Sequence, residues 1–341
     1  DPDYRIKTAP LPGFTTPRFL LARAKKTPLL KEELPFMTKD ILEEIHERML
    51  KEMAKADSQT FTNDNVSLLD IKIELARREL MKCELCGRRC GVNRFEGEIG
   101  FCGLGIDAYV GGMFIHISEE PPINPSLLIE LCGCGMRCKF CQKAELRDEI
   151  VNPKILLDRN LWEIIDTTDA RSLSFIGGNP DESLFAILRF LDAVPMDFPL
   201  PIVWNCHGYG NRIVYKILEG IVDAYIPDVK YGNDNCAKKW SQTYGYIETV
   251  KGCIAEITRQ GVPVYVRILV LPGHSECCHI PTIHWLKEYQ DRIIVNIMAQ
   301  YSPDSMITKT DKQMANYSKP EDVQTIINET RQCGLKQMAL T

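Results

Sequence analysis

Cys134-Gly-Met-Arg-Cys138-Lys-Phe-Cys141 sets three thiols at C-x3-C-x2-C spacing on one short loop. Three thiolates spaced this way can ligate three irons of a [4Fe–4S] cube, whereas ferredoxin runs bring four cysteines to four irons. The fourth iron is then open to an outside ligand. An open iron on a reducing cube can take the amino and carboxylate groups of S-adenosylmethionine, and one electron passed into the sulfonium breaks a carbon–sulfur bond. The competing chemistry is a structural zinc knuckle. Zinc prefers paired C-x2–4-C ligands that add up to four, and this loop supplies three, so the spacing favours the cube.

A second group precedes it: Cys83, Cys86, Cys90 and Cys102, spaced C-x2-C-x3-C-x11-C among glycines. Four thiolates close a site, which suits a structural metal or an electron-relay cluster rather than catalysis. The spacing leaves zinc and a second [4Fe–4S] cluster equally open. A third stretch, His274-Ser-Glu-Cys277-Cys278-His279 with His284 beyond it, invites a further metal. Adjacent cysteines chelate one tetrahedral ion poorly and histidines often cap turns, so the capping reading is preferred there. Cys206, Cys236 and Cys253 stand isolated in sequence and read as core thiols. Cys206 falls on a strand-end turn and is the weak candidate for a hydrogen-atom relay.

These residues need a frame. Short apolar runs at 127–131, 173–176, 202–205, 224–229, 264–271 and 293–298 alternate with helical stretches. Such runs suit parallel strands buried on both faces, and six strand-plus-helix units argue for an α/β partial (β/α)6 barrel. Right-handed crossovers put all the strand-end turns on one rim, where chemistry sits in such folds. The turns are the three-cysteine loop, Gly177-Gly178-Asn179, Asn205-Cys-His-Gly208, Asp228-Val-Lys230, Pro272-Gly273-His274 and Gln300-Tyr301. Gly177 and Gly178 expose backbone carbonyls to an ammonium, because no Cβ blocks the approach. Lys230 offers a compact positive charge to a carboxylate. Asp228, on the same face, can neutralise Lys230, hold a cation or accept a ribose hydroxyl. Arg267 lies within an apolar strand and needs a partner, Asp228 being the candidate.

Ahead of the barrel, residues 1–36 are rich in proline and mixed charge and read as an extended arm on the body, its basic residues from Arg18 to Lys31 a solvated face. Two helices follow. One carries Ile41, Leu42, Ile45, Met49 and Met53 behind a Thr38 cap; the other runs from about Val66 to Leu80. The expected division is 1–82 for arm and helices, 83–105 for the four-cysteine segment and 126–341 for the barrel.

At 341 residues, 45% apolar and 26% charged, the chain is an ordinary globular composition. A net charge of −5 gives no reason to expect nucleic acid. Eight of the 14 cysteines fall between Cys83 and Cys141, in metal-ligand clusters rather than a disulfide frame, which points to a reducing, anaerobic cytoplasm. No run of eighteen apolar residues exists, so no membrane span is expected. The sequence begins at Asp1, without a methionine, which leaves room for a targeting segment before it.

The turns in this order resemble the radical S-adenosylmethionine superfamily, and within it the group related to pyruvate formate-lyase activating enzyme. The resemblance covers roughly residues 83–335. It rests on Cys83-Glu-Leu-Cys-Gly-Arg-Arg-Cys-Gly-Val-Asn-Arg94 with Gly-Phe-Cys102-Gly, on Glu119-Glu-Pro-Pro122, and on Asp223-Ala-Tyr-Ile-Pro-Asp-Val-Lys230-Tyr. Arg267-Ile-Leu-Val-Leu-Pro-Gly273 and Asn296-Ile-Met-Ala-Gln-Tyr301 continue it. It implies that Cys134, Cys138 and Cys141 ligate the cluster, that Phe140 is the aromatic such loops carry, that Gly177 and Gly178 meet the methionine amino group and that Lys230 meets its carboxylate. Asn179, Asn205, Asp228, Arg267 and Gln300 complete the expected cofactor contacts. Two positions depart: Asn179 stands where the superfamily has glutamate, and Lys143 where relatives tend to have asparagine. The expected activity is reductive cleavage of S-adenosylmethionine to a 5′-deoxyadenosyl radical that abstracts hydrogen from a substrate. An external one-electron donor of ferredoxin or flavodoxin type is the expected partner. The substrate is a small molecule, peptide or lipid, or alternatively a glycine of a partner protein. An iron–sulfur electron carrier would leave Gly177, Gly178, Asp228 and Lys230 on one rim without a purpose.

Overall fold

The computed structural model describes residues 16–53, 60–151, 155–158, 161, 169–303 and 311–338. Helix α1 (Arg18–Ala24) and strand β1 (Lys26–Leu30) occupy most of the described part of the stretch expected to be an extended arm. Phe19, Leu20 and Ala22 are buried, with the Phe19 ring edge-on to Phe198 at 5.9 Å. The arm is therefore a packed element. Its charge misleads because the arginines reach across the body: Arg23 donates to the Val194 carbonyl and the Arg18 N–H to Asp223. Residues 1–15 of the arm lie outside the described residues.

Helix α2 (Lys39–Lys51) starts at Thr38, whose hydroxyl accepts from the Ile41 N–H at 3.4 Å. It buries Leu42, Ile45 and Met49, while Ile41, expected on the same face, is 46% exposed. Strand β2 (Asn65–Ser67) pairs antiparallel with β1. Ser67 then caps α3 (Leu68–Met81) in a reciprocal box with Asp70.

Strand β3 (Val110–His116) pairs antiparallel along β4 (Ser126–Leu131). No apolar run announces it, and its Gly111-Gly112 pair belongs to a residue type depleted in strands. From β4 onward the strands are parallel and in chain order: β5 (Ser172–Gly177), β6 (Ile202–Cys206) and β7 (Ala224–Pro227). Two parallel bridges, Tyr225 with Val264 and Asp228 with Arg267, carry the sheet on to β8 (Tyr265–Leu269). Strand β9 (Ile294–Met298) pairs parallel with β8. All six apolar runs are thus strands. The connecting helices are α4 (Ala144–Asp148), α5 (Leu184–Ala193), α6 (Arg212–Leu218), α7 (Asp234–Ser241), α8 (Tyr246–Arg259) and α9 (Ile280–Leu286), with α10 (Pro320–Gln332) after β9. This is the expected partial (β/α)6 barrel.

The continuous apolar runs follow from burial on both faces: every residue of β4, β6 and β7 is buried. Phe175 of β5 packs between Trp204 at 6.1 Å and Phe190 of α5 at 6.2 Å. Helix α3 docks on α5 and α6. Its fully buried Lys72 donates to the Ile217 and Glu219 carbonyls at 2.8 and 2.7 Å, satisfying the open C-terminal end of α6, with His46 Nε2 at 2.6 Å. Burial, with the lysine beside it, pushes His46 down to about 2, so the imidazole is neutral, and burial brings Lys72 down to about 7. No helix among the described residues is long and apolar enough to cross a membrane.

Candidate active site

The three-cysteine loop follows β4 at the rim and is pinned from several sides. The Arg137 and Lys139 N–H groups donate to the Ser241 and Trp240 carbonyls at the end of α7, at 3.0 and 2.8 Å. Arg147 donates to the Cys138 carbonyl at 2.5 Å. The thiols themselves receive donors: Ser241 Oγ to Cys138 Sγ at 3.0 Å and the Met136 N–H to Cys134 Sγ at 3.4 Å. Burial pushes the Cys134 and Cys141 thiols up, with Glu182 and Cys138 adding to it, so a metal must displace their protons to bind.

This loop forms one wall of a cavity of about 250 Å3 at the strand ends. Phe140, Gly177, Gly178, Asn179, Asn205, Cys206, Asp228, Lys230, Arg267 and Gln300 all line it. The topology therefore gathers strand-end residues from Cys134 to Gln300 around one space. Phe140 is held edge-on by Tyr231 and Tyr301, at 6.4 and 6.1 Å. Lys230 Nζ donates to Asp228, and its N–H donates to the Tyr246 hydroxyl at 2.8 Å. Burial works against the ammonium, but Asp228 and the nearby thiolates outweigh it and raise Lys230. Asn205 Nδ2 is buried without a hydrogen-bond partner. Such an orphaned donor beside a cavity is a place for a ligand acceptor.

Five positions are fixed by neighbours that local sequence does not show. Arg267 is paired, but with Glu119 and Glu120 rather than Asp228: Nε donates to Glu120 at 2.8 Å and Nη2 to both carboxylates at 2.5 and 2.7 Å. Two buried carboxylates outweigh the desolvation of its charge, and Asp228 meets Arg267 through the backbone bridge instead. Glycine at 177 and 178 is required by the neighbouring strand. Gly177 has φ +111°, and a Cβ there would lie 2.6 Å from the Leu131 carbonyl, while one at Gly178 would strike the Gly133 backbone. Asn179 points into a brace, with Nδ2 donating to Glu182 at 2.6 Å and Oδ1 accepting from the His207 N–H at 3.0 Å. A glutamate at 179 would set two carboxylates against each other, which accounts for the amide. Lys143 is tied to Glu130 at 3.0 Å.

Sequence reasoning passed over Asp181, Glu182 and His207, which are buried together beneath the cavity. Glu182 accepts from the Gly135 N–H of the cysteine loop at 2.7 Å and lies 3.4 Å from His207 Nε2. Asp181 accepts from Trp204 at 2.8 Å and Tyr215 at 3.0 Å. Burial raises Asp181, whereas at Glu182 the effect of burial is overcome by His207 and the carboxyl is lowered. The signal was the acid pair directly after the Gly-Gly-Asn turn. Cys206 lines the cavity with its sulfur 3.7 Å from the Tyr215 hydroxyl, next to Cys253.

The four-cysteine segment docks directly on this loop. The Gly87 N–H donates to Tyr209 and the Asn211 N–H to Leu85, at 2.8 and 2.9 Å. Arg88 Nε donates to the Gly135 carbonyl at 2.8 Å, and Arg137 reaches the Phe101 carbonyl at 2.6 Å. Both guanidiniums lie over the Phe101 ring, at 3.9 and 4.4 Å from its centre. A side chain at Gly135 would fall 2.8 Å from Cys86 Sγ, so the two cysteine groups are neighbours. Cys83, Cys86 and Cys102 are buried and Cys90 exposed. Burial pushes Cys83 and Cys86 up and Cys102 to about 11.

In the third stretch the histidines do not join the cysteines. His274 Nδ1 lies 2.8 Å from the Pro272 carbonyl, the Leu271 N–H donates to His279 at 3.2 Å, and His284 pairs with Glu329 at 2.7 Å. The capping reading holds for His274 and His279, while His284 lies with Glu329 and Cys333 in a group whose ligand atoms are all within 4.8 Å of one another. Cys236 is not isolated, however: with Cys277 and Cys278 it forms a group whose sulfurs all lie within 4.8 Å of one another.

Residues 131–286 match the sequence profile of the Radical SAM superfamily. An uncharacterised protein of Methanocaldococcus jannaschii, MJ0674, is 30% identical over 300 residues, covering 84% of this chain and 85% of the relative. Among solved structures, Streptococcus suis SuiB bound to its precursor peptide SuiA aligns with TM-score 0.46 at 13% identity, over 89% of this chain and 62% of that one. A domain of pyruvate-formate lyase-activating enzyme from Bacteroides vulgatus ATCC 8482 aligns with TM-score 0.36 at 14% identity, over 49% and 97%. The profile agrees with the cysteine loop and the barrel beneath it: the chain is an enzyme of the radical S-adenosylmethionine superfamily.

Proposed function

We propose that this enzyme binds S-adenosylmethionine in the strand-end cavity against Cys134, Cys138 and Cys141, and abstracts hydrogen from a substrate entering at the rim. A [4Fe–4S] cluster on the three thiolates would supply the electron that splits the sulfonium, and the cofactor the adenosyl group that takes the hydrogen. The donor set fits such a group. Two of the three sulfurs on the loop, those of Cys134 and Cys138, receive N–H and O–H donors from Met136 and Ser241, as cluster sulfurs do. The observation that carries the reading is the opposite wall, where the orphaned Asn205 Nδ2 and the cationic Lys230 face the same cavity.

Lys230 holds the carboxylate of the methionine moiety, exchanging part of its bond to Asp228 for it. Asn205 donates to an acceptor on the cofactor. Asp228, once Lys230 turns to the ligand, is free to accept a ribose hydroxyl. Phe140, Leu269, Met298 and Tyr301 give the cavity apolar walls that exclude water from the reacting atoms. For the second cysteine group we propose a further iron–sulfur cluster. Tetrahedral zinc would draw its sulfurs to about 3.8 Å from one another. Among the described residues, the groups of donors gathered within 4.8 Å include none of Cys83, Cys86, Cys90 and Cys102. Their position beside Gly135 supports electron delivery to the loop.

The test is anaerobic reconstitution of the full chain. Its EPR signal should change when S-adenosylmethionine is added, and 5′-deoxyadenosine should form under reductant. Cys134→Ala should lose both. Reductive cleavage by that variant would defeat the reading.

A further inference from the structure

The geometry points to a third metal site: Cys236, Cys277 and Cys278 hold a thiophilic divalent ion, zinc in the first instance, that fastens α7 to the turn after β8. Cys236 Sγ lies 3.9 Å from Cys277 Sγ, and Cys277 Sγ 3.8 Å from Cys278 Sγ. A disulfide would require about 2.05 Å. A zinc–sulfur bond of about 2.3 Å places sulfurs roughly 3.8 Å apart around a tetrahedral ion. The spacing is that of ligands around one ion. The objection that adjacent cysteines chelate poorly is met by the backbone, since Ser275–His279 forms a π-helical turn that brings both thiols to one side. Such turns recur at functional sites.

The surroundings are those of a built site. Asn233 Nδ2 lies 3.3 Å from Cys236 Sγ and 3.5 Å from Cys278 Sγ and donates to the Cys277 carbonyl at 2.7 Å. Its Oδ1 accepts from the Cys236 N–H at 2.8 Å. One amide thus orients two sulfurs and joins both segments, the role outer-shell partners have around metal ligands. Gly232 permits the approach, because a Cβ there would lie 2.8 Å from Cys278 Cα. Cys278 is buried, Cys236 half-buried and Cys277 exposed, which leaves a fourth coordination position toward solvent. Binding displaces the three thiol protons, and a water completes the coordination.

The site has a structural consequence for the catalytic loop. Cys236 lies in the first turn of α7, and the other end of the same helix carries Ser241 and Trp240, which hold Cys138, Arg137 and Lys139. An ion at Cys236 braces the helix that positions the cluster loop.

Zinc analysis of anaerobically isolated full-length protein, with its iron reconstituted, tests this. The wild type should carry about one zinc more per chain than the Cys236→Ser/Cys278→Ser variant, with equal iron. Cadmium, titrated in zinc's place, should give a sulfur-to-metal charge-transfer band in the wild type that the variant lacks. Asn233→Ala keeps all three ligands and should weaken cadmium binding at least tenfold, which separates a metal site from a folding defect in the double variant. Equal zinc and equal cadmium absorption in wild type and double variant would overturn the assignment. A disulfide between Cys236 and Cys277 in the anaerobic protein would overturn it as well.

Discussion

Lys230 and Arg267 are both cations on the cavity wall, and their partners separate their roles. Arg267 is clamped by two buried carboxylates, so releasing it to a ligand would leave Glu119 and Glu120 as uncompensated charges. Among the described residues, Lys230 is ion-paired with Asp228 only, and Asp228 remains 31% exposed. Exchange is therefore cheap at Lys230 and expensive at Arg267. Replacing Lys230 with alanine removes a charge-assisted bond worth roughly 1.5–3 kcal/mol. Binding of S-adenosylmethionine should weaken about ten- to a hundredfold at an intact cluster, since 1.4 kcal/mol is tenfold. Titration followed by EPR checks this; unchanged affinity with a lowered melting temperature would make Lys230 a scaffold residue. The sequence pointed to both cations, but the partner of Arg267 lies 147 residues away, beyond any local pattern.

At the scale of elements, the four-cysteine segment docks on the barrel beside the cluster loop. Its thiols have their own neighbours: Cys83 Sγ lies 3.8 Å from Arg94 Nη1, and a Cβ at Gly100 would lie 3.3 Å from Cys102 Sγ and 3.7 Å from Cys90 Sγ. Metal there should not depend on the catalytic loop. The chain with Cys134, Cys138 and Cys141 all replaced should still bind about four irons with sulfide at this group. One zinc and no sulfide would make it a structural knuckle, and no metal would reduce it to plain thiols. The spacing C-x2-C-x3-C-x11-C was legible as a metal group. Its contact with Gly135 was not, because docking depends on Tyr209, Asn211 and Arg137, which reach it from two separate parts of the chain.

Across the whole molecule, Lys72 joins the N-terminal helices to the barrel. Its folded value near 7 lies below the ordinary 10.5, so between those limits the unfolded chain binds more protons than the folded one. Stability then rises with pH across that window, by at most about 1.4 kcal/mol per pH unit for one proton. Lys72→Met abolishes this contribution and leaves the Ile217 and Glu219 carbonyls without their donor. The stability difference in favour of the wild type should therefore widen from pH 7 to pH 9, measured by urea unfolding of the reduced protein. A constant difference would mean that Lys72 stays charged in the fold.

What the sequence determined by itself was chemistry carried by local spacing and periodicity. The cluster loop is eight consecutive residues, and the six buried runs are continuous, so type and position of each could be read without a partner. Residue composition misled where charge was answered from a distance, as in α1, and where glycines stood in a strand, as in β3. Tertiary structure alone decided the pairings: Arg267 with Glu119 and Glu120, Asn179 with His207, Cys86 against Gly135, and Cys236 with Cys277 and Cys278. Each joins residues from different turns or elements. Only the folded chain makes them neighbours.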